Sequence, residues 1–312
     1  MNAKHSDTLL PDGMDVPFSQ IEPTLARLVR DHRRRRAPSR ALTATVIVVG
    51  PENRLGACAE TMERLGLSGG VRSIFITEGG QASPTARVSE SSIVISGLSP
   101  QYLNNAVAAL RLSSLPSLVW WRGGSVESLT GLADLSDRLV LDLEQPDEVW
   151  AHADDIVERA AVTDLRWTRL TRWRALLAHV FDLPQVRRAA PAIARLSIDA
   201  ADGPSARLFA GWLQSSLKWQ SSVAIEIQPA APAADGKPIE RVQLTGGDLS
   251  ITLQVRSTRT CIEAIVSGVE ASSRVVPCGD STLAALLSEE LAVRTRDLAF
   301  EQALASAREL TP

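Results

Sequence analysis

Apolar and polar positions change period along this chain. In 17–36, Ile21, Leu25, Leu28, Val29 and His32 fall on one side of a helix, with Pro23 opening its regular part. A β-branched run over 43–49 stops at Gly50 and predicts the first core strand. A helix over 54–65 follows, with Asn53 as its cap. Further strands are expected at 71–77 and 92–96. The helix at 102–112 places Leu103, Ala106, Val107 and Leu110 on one face. An apolar strand follows at 115–122, then a short helix at 127–135, a strand at 138–143 and a helix at 147–161. Strands that alternate with helices imply a mostly parallel sheet carrying helices on both faces.

Beyond residue 162 the rhythm changes. A helix is expected over 172–180 with Thr171 as cap, then a connection over 182–191 that holds Pro184 and Pro191. A strand at 192–198, a helix at 205–219 and a strand at 222–227 follow. The Pro- and Ala-rich stretch 228–238 reads as a loop. Three successive strands, 239–244, 249–255 and 261–266, are joined first by the turn Thr245-Gly246-Gly247-Asp248. Helices at 281–294 and 297–309 close the chain. The fold class is therefore α/β: an N-terminal Rossmann-like, mostly parallel sheet plus a smaller C-terminal α+β domain. The expected divisions are 1–39, a disordered leader (1–16) and helix; 40–162, the Rossmann-like domain; 163–190, a Trp/Arg-rich connecting helix; and 191–312, the α+β domain.

Composition narrows the function. The chain has 312 residues, 45% hydrophobic and 22% charged, with a net charge of −3. That balance suits a soluble globular protein with a substantial core. It offers no general attraction for nucleic acid or acidic membranes. Cys58, Cys261 and Cys278 are too few and scattered for a disulfide framework, so a cytoplasmic location is expected. No secretory h-region and no membrane-length apolar run is present.

Familiar chemistry is missing. The first strand-to-helix turn, Gly50-Pro51-Glu52-Asn53-Arg54-Leu55-Gly56, lacks the spacing of a dinucleotide fingerprint and of a P-loop. Gly66-Leu67-Ser68-Gly69-Gly70 has the letters of a nucleophile elbow but lies between a helix and a strand, the wrong context. His5, His32, His152 and His179 show no metal-ligand spacing. Asp154-Asp155 and Glu289-Glu290 read as solvated helix faces. Cys58 reads as a small buried hydrophobe. No cofactor, metal or catalytic set is expected. The run Arg33 to Arg36 suits either an acidic partner or a solvated helix end whose cations complement the macrodipole.

What remains is two clusters of tryptophan and arginine. The first is Leu115-Pro116-Ser117-Leu118-Val119-Trp120-Trp121-Arg122-Gly123, a strand ending at the carboxyl edge of the sheet, where open α/β sheets bind ligands. Neighbouring strand residues face opposite ways, so Trp120 and Trp121 enter different layers. They either fill those layers or, with Arg122, anchor an interface. The second is Asp164-Leu165-Arg166-Trp167-Thr168-Arg169-Leu170-Thr171-Arg172-Trp173-Arg174, which suits a stiffened hinge, a phosphorylated sugar or a docked protein.

Together these two motifs resemble the glucose-6-phosphate dehydrogenase assembly protein (OpcA) family, whose members carry similar strand and helix-entrance motifs. The resemblance runs from about residue 20 onward. It implies a non-catalytic assembly factor or allosteric activator that binds glucose-6-phosphate dehydrogenase in support of the oxidative pentose phosphate pathway. Under that implication Trp120, Trp121, Arg122, Trp167, Arg169, Trp173 and Arg174 bind the partner or support the contacting surface. The alternative is a sugar-phosphate sensor or enzyme that uses the same Trp/Arg clusters.

Overall fold

The computed structural model describes residues 9–34, 41–65, 70–79, 84–219, 223–231, 236–293 and 295–310. Residues 66–69 of the elbow candidate Gly66–Gly70 and the end of the arginine run lie outside them. The chain divides into two compact units, one of residues 1–144, 151–163 and 290–296, the other of 145–150, 164–289 and 297–312.

The first unit is built on an eight-stranded sheet. Its strands are β1 (Met14–Val16), β2 (Ala44–Val49), β3 (Val71–Glu78), β4 (Thr85–Val88), β5 (Ser92–Leu98), β6 (Ser117–Trp121), β7 (Arg138–Leu141) and β8 (Ala161–Asp164). They lie in the order β1-β4-β5-β3-β2-β6-β7-β8. β2 pairs in parallel with β3 and β6, β3 with β5, and β6 with β7. β4 runs against its neighbours, β5 and β1. The stretch expected as leader thus contributes an edge strand. Every residue of β6 is buried, and so is every residue of β2 after Ala44. Unbroken burial along a strand requires cover on both faces, which explains why these runs do not alternate.

Helices α1 (Ile21–Arg34), α2 (Glu52–Arg64), α3 (Pro100–Leu110) and α4 (Val126–Ala133) connect these strands. Ser125 caps α4 by accepting from the Ser128 N–H at 3.2 Å. Asn53, expected as a cap, lies inside α2, because Pro51 takes the cap position and an early proline suits a helix start. The stretch 147–161 is two short helices, α5 (Asp147–Ala151) and α6 (Ala153–Val157), before β8. Glu290 corrects a further expectation, since it is buried rather than solvated. Its Oε2 accepts from Arg138 Nε at 3.2 Å, its Oε1 accepts from Thr163 Oγ1 at 3.4 Å, and Arg138 Nη1 also donates to the Thr295 carbonyl at 3.2 Å. A buried carboxylate persists only with such partners.

The second unit carries a six-stranded sheet, β10-β9-β11-β12-β13-β14. Its members are β9 (Arg195–Ala200), β10 (Ala224–Pro229), β11 (Ile239–Gly246), β12 (Leu249–Val255), β13 (Cys261–Ser267) and β14 (Ser272–Pro277). β9 and β10 are its parallel pair. Burial alternates along β12 and β13, the mark of a sheet with one covered face. The helices are α7 (Leu165–Arg169), α8 (Thr171–Phe181), α9 (Pro184–Ala189), α10 (Gly203–Leu217), α11 (Leu283–Ala292) and α12 (Leu298–Glu309). The connection expected at 182–191 thus contains a helix. Thr171 opens α8 but does not cap it; its hydroxyl donates to the Thr168 carbonyl at 2.8 Å.

α10 and α12 approach closely at Gly211. A Cβ there would stand 2.3 Å from the Ala303 carbonyl oxygen and 2.8 Å from the Ala307 nitrogen, both backbone atoms that cannot step aside. Gly211→Ala is expected to destabilise the protein by about 1–3 kcal/mol, the usual cost of overpacking. Thermal unfolding followed by circular dichroism checks this; an unchanged midpoint would contradict the close helix contact.

Candidate functional site

The strand order of the first sheet reverses at one place. From β2 the chain builds outward through β3 to β5, then returns to lay β6 and β7 on the other side. The crevice between β2 and β6, at their carboxyl ends, is therefore the switch point where an open α/β sheet takes its ligands. Val49 pairs with Trp121 there, so Gly50 and Arg122 leave the sheet side by side. The first tryptophan motif delivers its arginine into this crevice.

Arg122 fills it. A Cβ on Gly50 would lie 2.9 Å from the Arg122 Cβ. The guanidinium is 8% exposed, pairs with Asp142 at 2.8 Å, and donates to the Arg54 carbonyl at 3.0 Å and to Cys58 Sγ at 3.2 Å. Arg54 returns a hydrogen bond to the Arg122 carbonyl at 3.3 Å and pairs with Glu144 at 3.4 Å. Trp120 lies beneath, its indole N–H donating to Asp142 at 3.3 Å and its ring centroid 5.4 Å from the guanidinium. Trp121 enters the opposite layer, where Gly124 (φ +138°) passes so close that a Cβ would meet the indole at 2.7 Å. Neither Trp120 nor Trp121 is accessible.

These residues do not fit a dinucleotide. The crevice that a pyrophosphate would need is occupied by side chains of the chain itself. Pro51 removes one N–H from the entrance to α2, and Glu52 puts a negative charge in its first turn, where a bound phosphate would stand.

The second motif is equally internal. Asp164 caps α7, accepting from the Arg166 N–H at 2.8 Å, and also accepts from the Trp150 indole at 3.3 Å. Arg166 reaches Asp202, the cap of α10, at 2.9 Å. Trp167 donates to Asp297, the cap of α12, at 2.8 Å and meets Phe300 with ring centroids 5.8 Å apart. The Arg174 guanidinium lies 3.4 Å from the Trp167 ring centroid and donates to the Trp167 carbonyl at 3.2 Å. Trp173 packs edge-on to Phe209, which in turn touches Trp212. Trp167 and Trp173 are buried; Arg169 and Arg174 are half-buried. The motif therefore offers arginine at its surface and keeps its tryptophans in the core.

Sequence reasoning missed Asp142. The parallel register of β6 and β7, in which Trp121 faces Leu141, places residues 122 and 142 side by side one step past both strands. That register would have been the signal.

Burial pushes the Cys58 thiol up from 9.0 to about 11, against the pull of Arg122 toward the thiolate. The folded state thus holds the thiol proton more tightly than the unfolded state. This contribution to stability is complete below pH 9 and is lost as the pH rises toward 11. Denaturation midpoints are expected to fall across that window, and less steeply in Cys58→Ala. A thiol reagent at pH 8 is expected to modify half-exposed Cys261 and Cys278 first, with Cys58 slower by roughly a hundredfold.

Residues 160–304 match a family described as the C-terminal domain of a glucose-6-phosphate dehydrogenase subunit. Two curated relatives, each named "Putative OxPP cycle protein OpcA", are similar over part of their length. The one from Synechocystis sp. is 29% identical over 56% of this chain and 40% of its own length. The one from Nostoc punctiforme is 31% identical over 38% of this chain and 27% of its own length. The chain therefore spans well under half of either relative. Among solved structures, a Gal80p super-repressor mutant from Saccharomyces cerevisiae matches at 8% identity and a TM-score of 0.49, over 86% of this chain and 94% of that one. The aldose-aldose oxidoreductase from Caulobacter crescentus matches at 9% identity and 0.48, over 86% and 95%. Likeness at that level carries nothing about ligand or activity. The sequence matches agree with the resemblance of the two tryptophan motifs: residues 160–304 are similar to that domain, and both relatives carry the OpcA name.

Proposed function

We propose that the chain is a non-catalytic, cytoplasmic partner of glucose-6-phosphate dehydrogenase that promotes its assembly or activity in the oxidative pentose phosphate pathway. The observation that carries this reading is the match of residues 160–304 to a domain described by that enzyme's name. The names of the two relatives point the same way. Self-occupation of the switch point by Arg122, Asp142 and Arg54 supports a role without a dinucleotide of its own. Among the described residues no helix is long and apolar enough to cross a membrane.

Within this reading the buried tryptophans support the contacting surface and the outer arginines meet the partner. Arg169 is half-buried and Arg172 exposed at the second motif, whereas Trp167 and Trp173 lie beneath. The sugar-phosphate alternative, as placed on these clusters, lacks an open aromatic face on which a sugar ring could stack.

Adding the protein to the cognate glucose-6-phosphate dehydrogenase is expected to raise its rate or lower its apparent KM, with co-elution on a sizing column. Absence of both would overturn the partnership. Arg169→Glu is expected to weaken binding about tenfold, the scale of one interfacial charge, with an unchanged melting temperature. Trp167→Ala is expected to lower the melting temperature instead, through loss of core volume. Calorimetric titration with NADP⁺ is expected to give no heat, and a saturable signal would contradict a non-catalytic reading.

A further inference from the structure

The second unit contains an open groove of about 690 Å³ that neither tryptophan motif touches. Its wall runs from the end of α8 (Phe181, Asp182) through Arg187 of α9 to the last turn of α10, where Leu217, Lys218 and Trp219 stand, and buried Ile193 contributes to the lining. The volume suits a small organic molecule. The composition is divided: two aromatic rings and aliphatic side chains line it, and two cations stand among them.

Lys218 is the unusual residue. It ends α10 in the left-handed conformation, φ 53° and ψ 40°, a place that glycine takes without strain. A lysine held there costs stability that a glycine would not. The geometry sets Lys218 and Trp219 together at the groove, with the Trp219 N–H closing the helix end on the Gln214 carbonyl at 3.0 Å. Lys218 has no ion-pair partner among the described residues, and the Trp219 indole has neither a ring partner nor a hydrogen bond there. Arg187 faces Asp182 at 3.5 Å, but both are exposed, and such a pair is readily exchanged for a stronger anion.

We propose that this groove binds a small phosphate monoester with a ring-shaped body. The phosphate lies between Lys218 and Arg187, the second of which presents the forked donors that phosphate oxygens match. The ring lies against Trp219 and Phe181, where flat or ring-shaped groups stack favourably. Two sources share this chemistry, a hexose phosphate and a nucleoside monophosphate. The site is independent of the enzyme partnership and is measured on the chain alone.

The test is calorimetric titration of the full-length protein with glucose 6-phosphate, adenosine 5′-monophosphate and inorganic phosphate in separate arms. Saturable binding of one of the two esters, at least tenfold tighter than inorganic phosphate, supports the proposal and identifies the source. Lys218→Gly is the decisive variant, because it removes the cation while relieving the backbone. It is expected to melt no lower than the wild type yet to bind the ester at least tenfold more weakly, whereas Lys218→Arg retains binding. Trp219→Ala is expected to bring the ester to the affinity of inorganic phosphate. Three results would overturn the proposal: no heat from either ester, equal affinity for inorganic phosphate, or ester binding that survives Lys218→Gly unchanged.

Discussion

A strand shows successive side chains to opposite faces, and in β6 both faces are sealed. Two adjacent indoles therefore enter two separate layers, and the guanidinium that follows emerges at the switch point of the sheet. Much of the first unit depends on that placement. Arg122 ties β6 to the carboxyl end of β7 through Asp142 and to α2 through Arg54 and Cys58. In a nucleotide-binding relative of this architecture the crevice would be held open by glycines. Here it is closed by a charged side chain whose hydrogen bonds and ion pair offset the cost of burial.

The same device recurs in the second unit. Three buried indoles, Trp120, Trp150 and Trp167, each donate to an aspartate: Asp142, Asp164 and Asp297. Each aspartate also performs a second task. Asp142 neutralises Arg122, Asp164 caps α7, and Asp297 caps α12. At Asp164 and Asp297 a single carboxylate serves both an indole N–H and a helix start, and so fixes the angle between them. The tryptophan motifs are thus assembly points for helices.

The framework of the fold was legible because hydrophobic period changes wherever the elements change. The parallel core strands follow their β-branched runs, and the hairpin strands 239–244, 249–255 and 261–266 fall within two residues of those observed. What escaped notice was short or exposed. β14 carries Ser, Arg and Pro at an edge and buries almost nothing, so no alternation marks it. β8 is four residues long and begins where the helix expected over 147–161 ends. The interior carboxylates and guanidiniums escaped for another reason. Glu290, Asp142 and Arg122 are residue types normally found in water, and only the fold brings their partners within reach. Lys218 was unreadable for the same cause, since nothing in a lysine announces a left-handed backbone.

Glu290 has a consequence for how this chain is born. Arg138 opens β7, next to the edge strand of the first sheet, but its buried carboxylate arrives from residues 290–296, more than 150 positions later. A growing chain leaves the ribosome from its N-terminus, so the first sheet is translated long before it can be finished. Until that late segment emerges, Arg138 lacks the carboxylate and the carbonyl that accept its hydrogen bonds. Closure of so long a loop slows folding as well. The first unit, although first in sequence, is thus among the last parts of the molecule to be sealed, and C-terminal truncation at about residue 289 would strike the sheet that was made earliest.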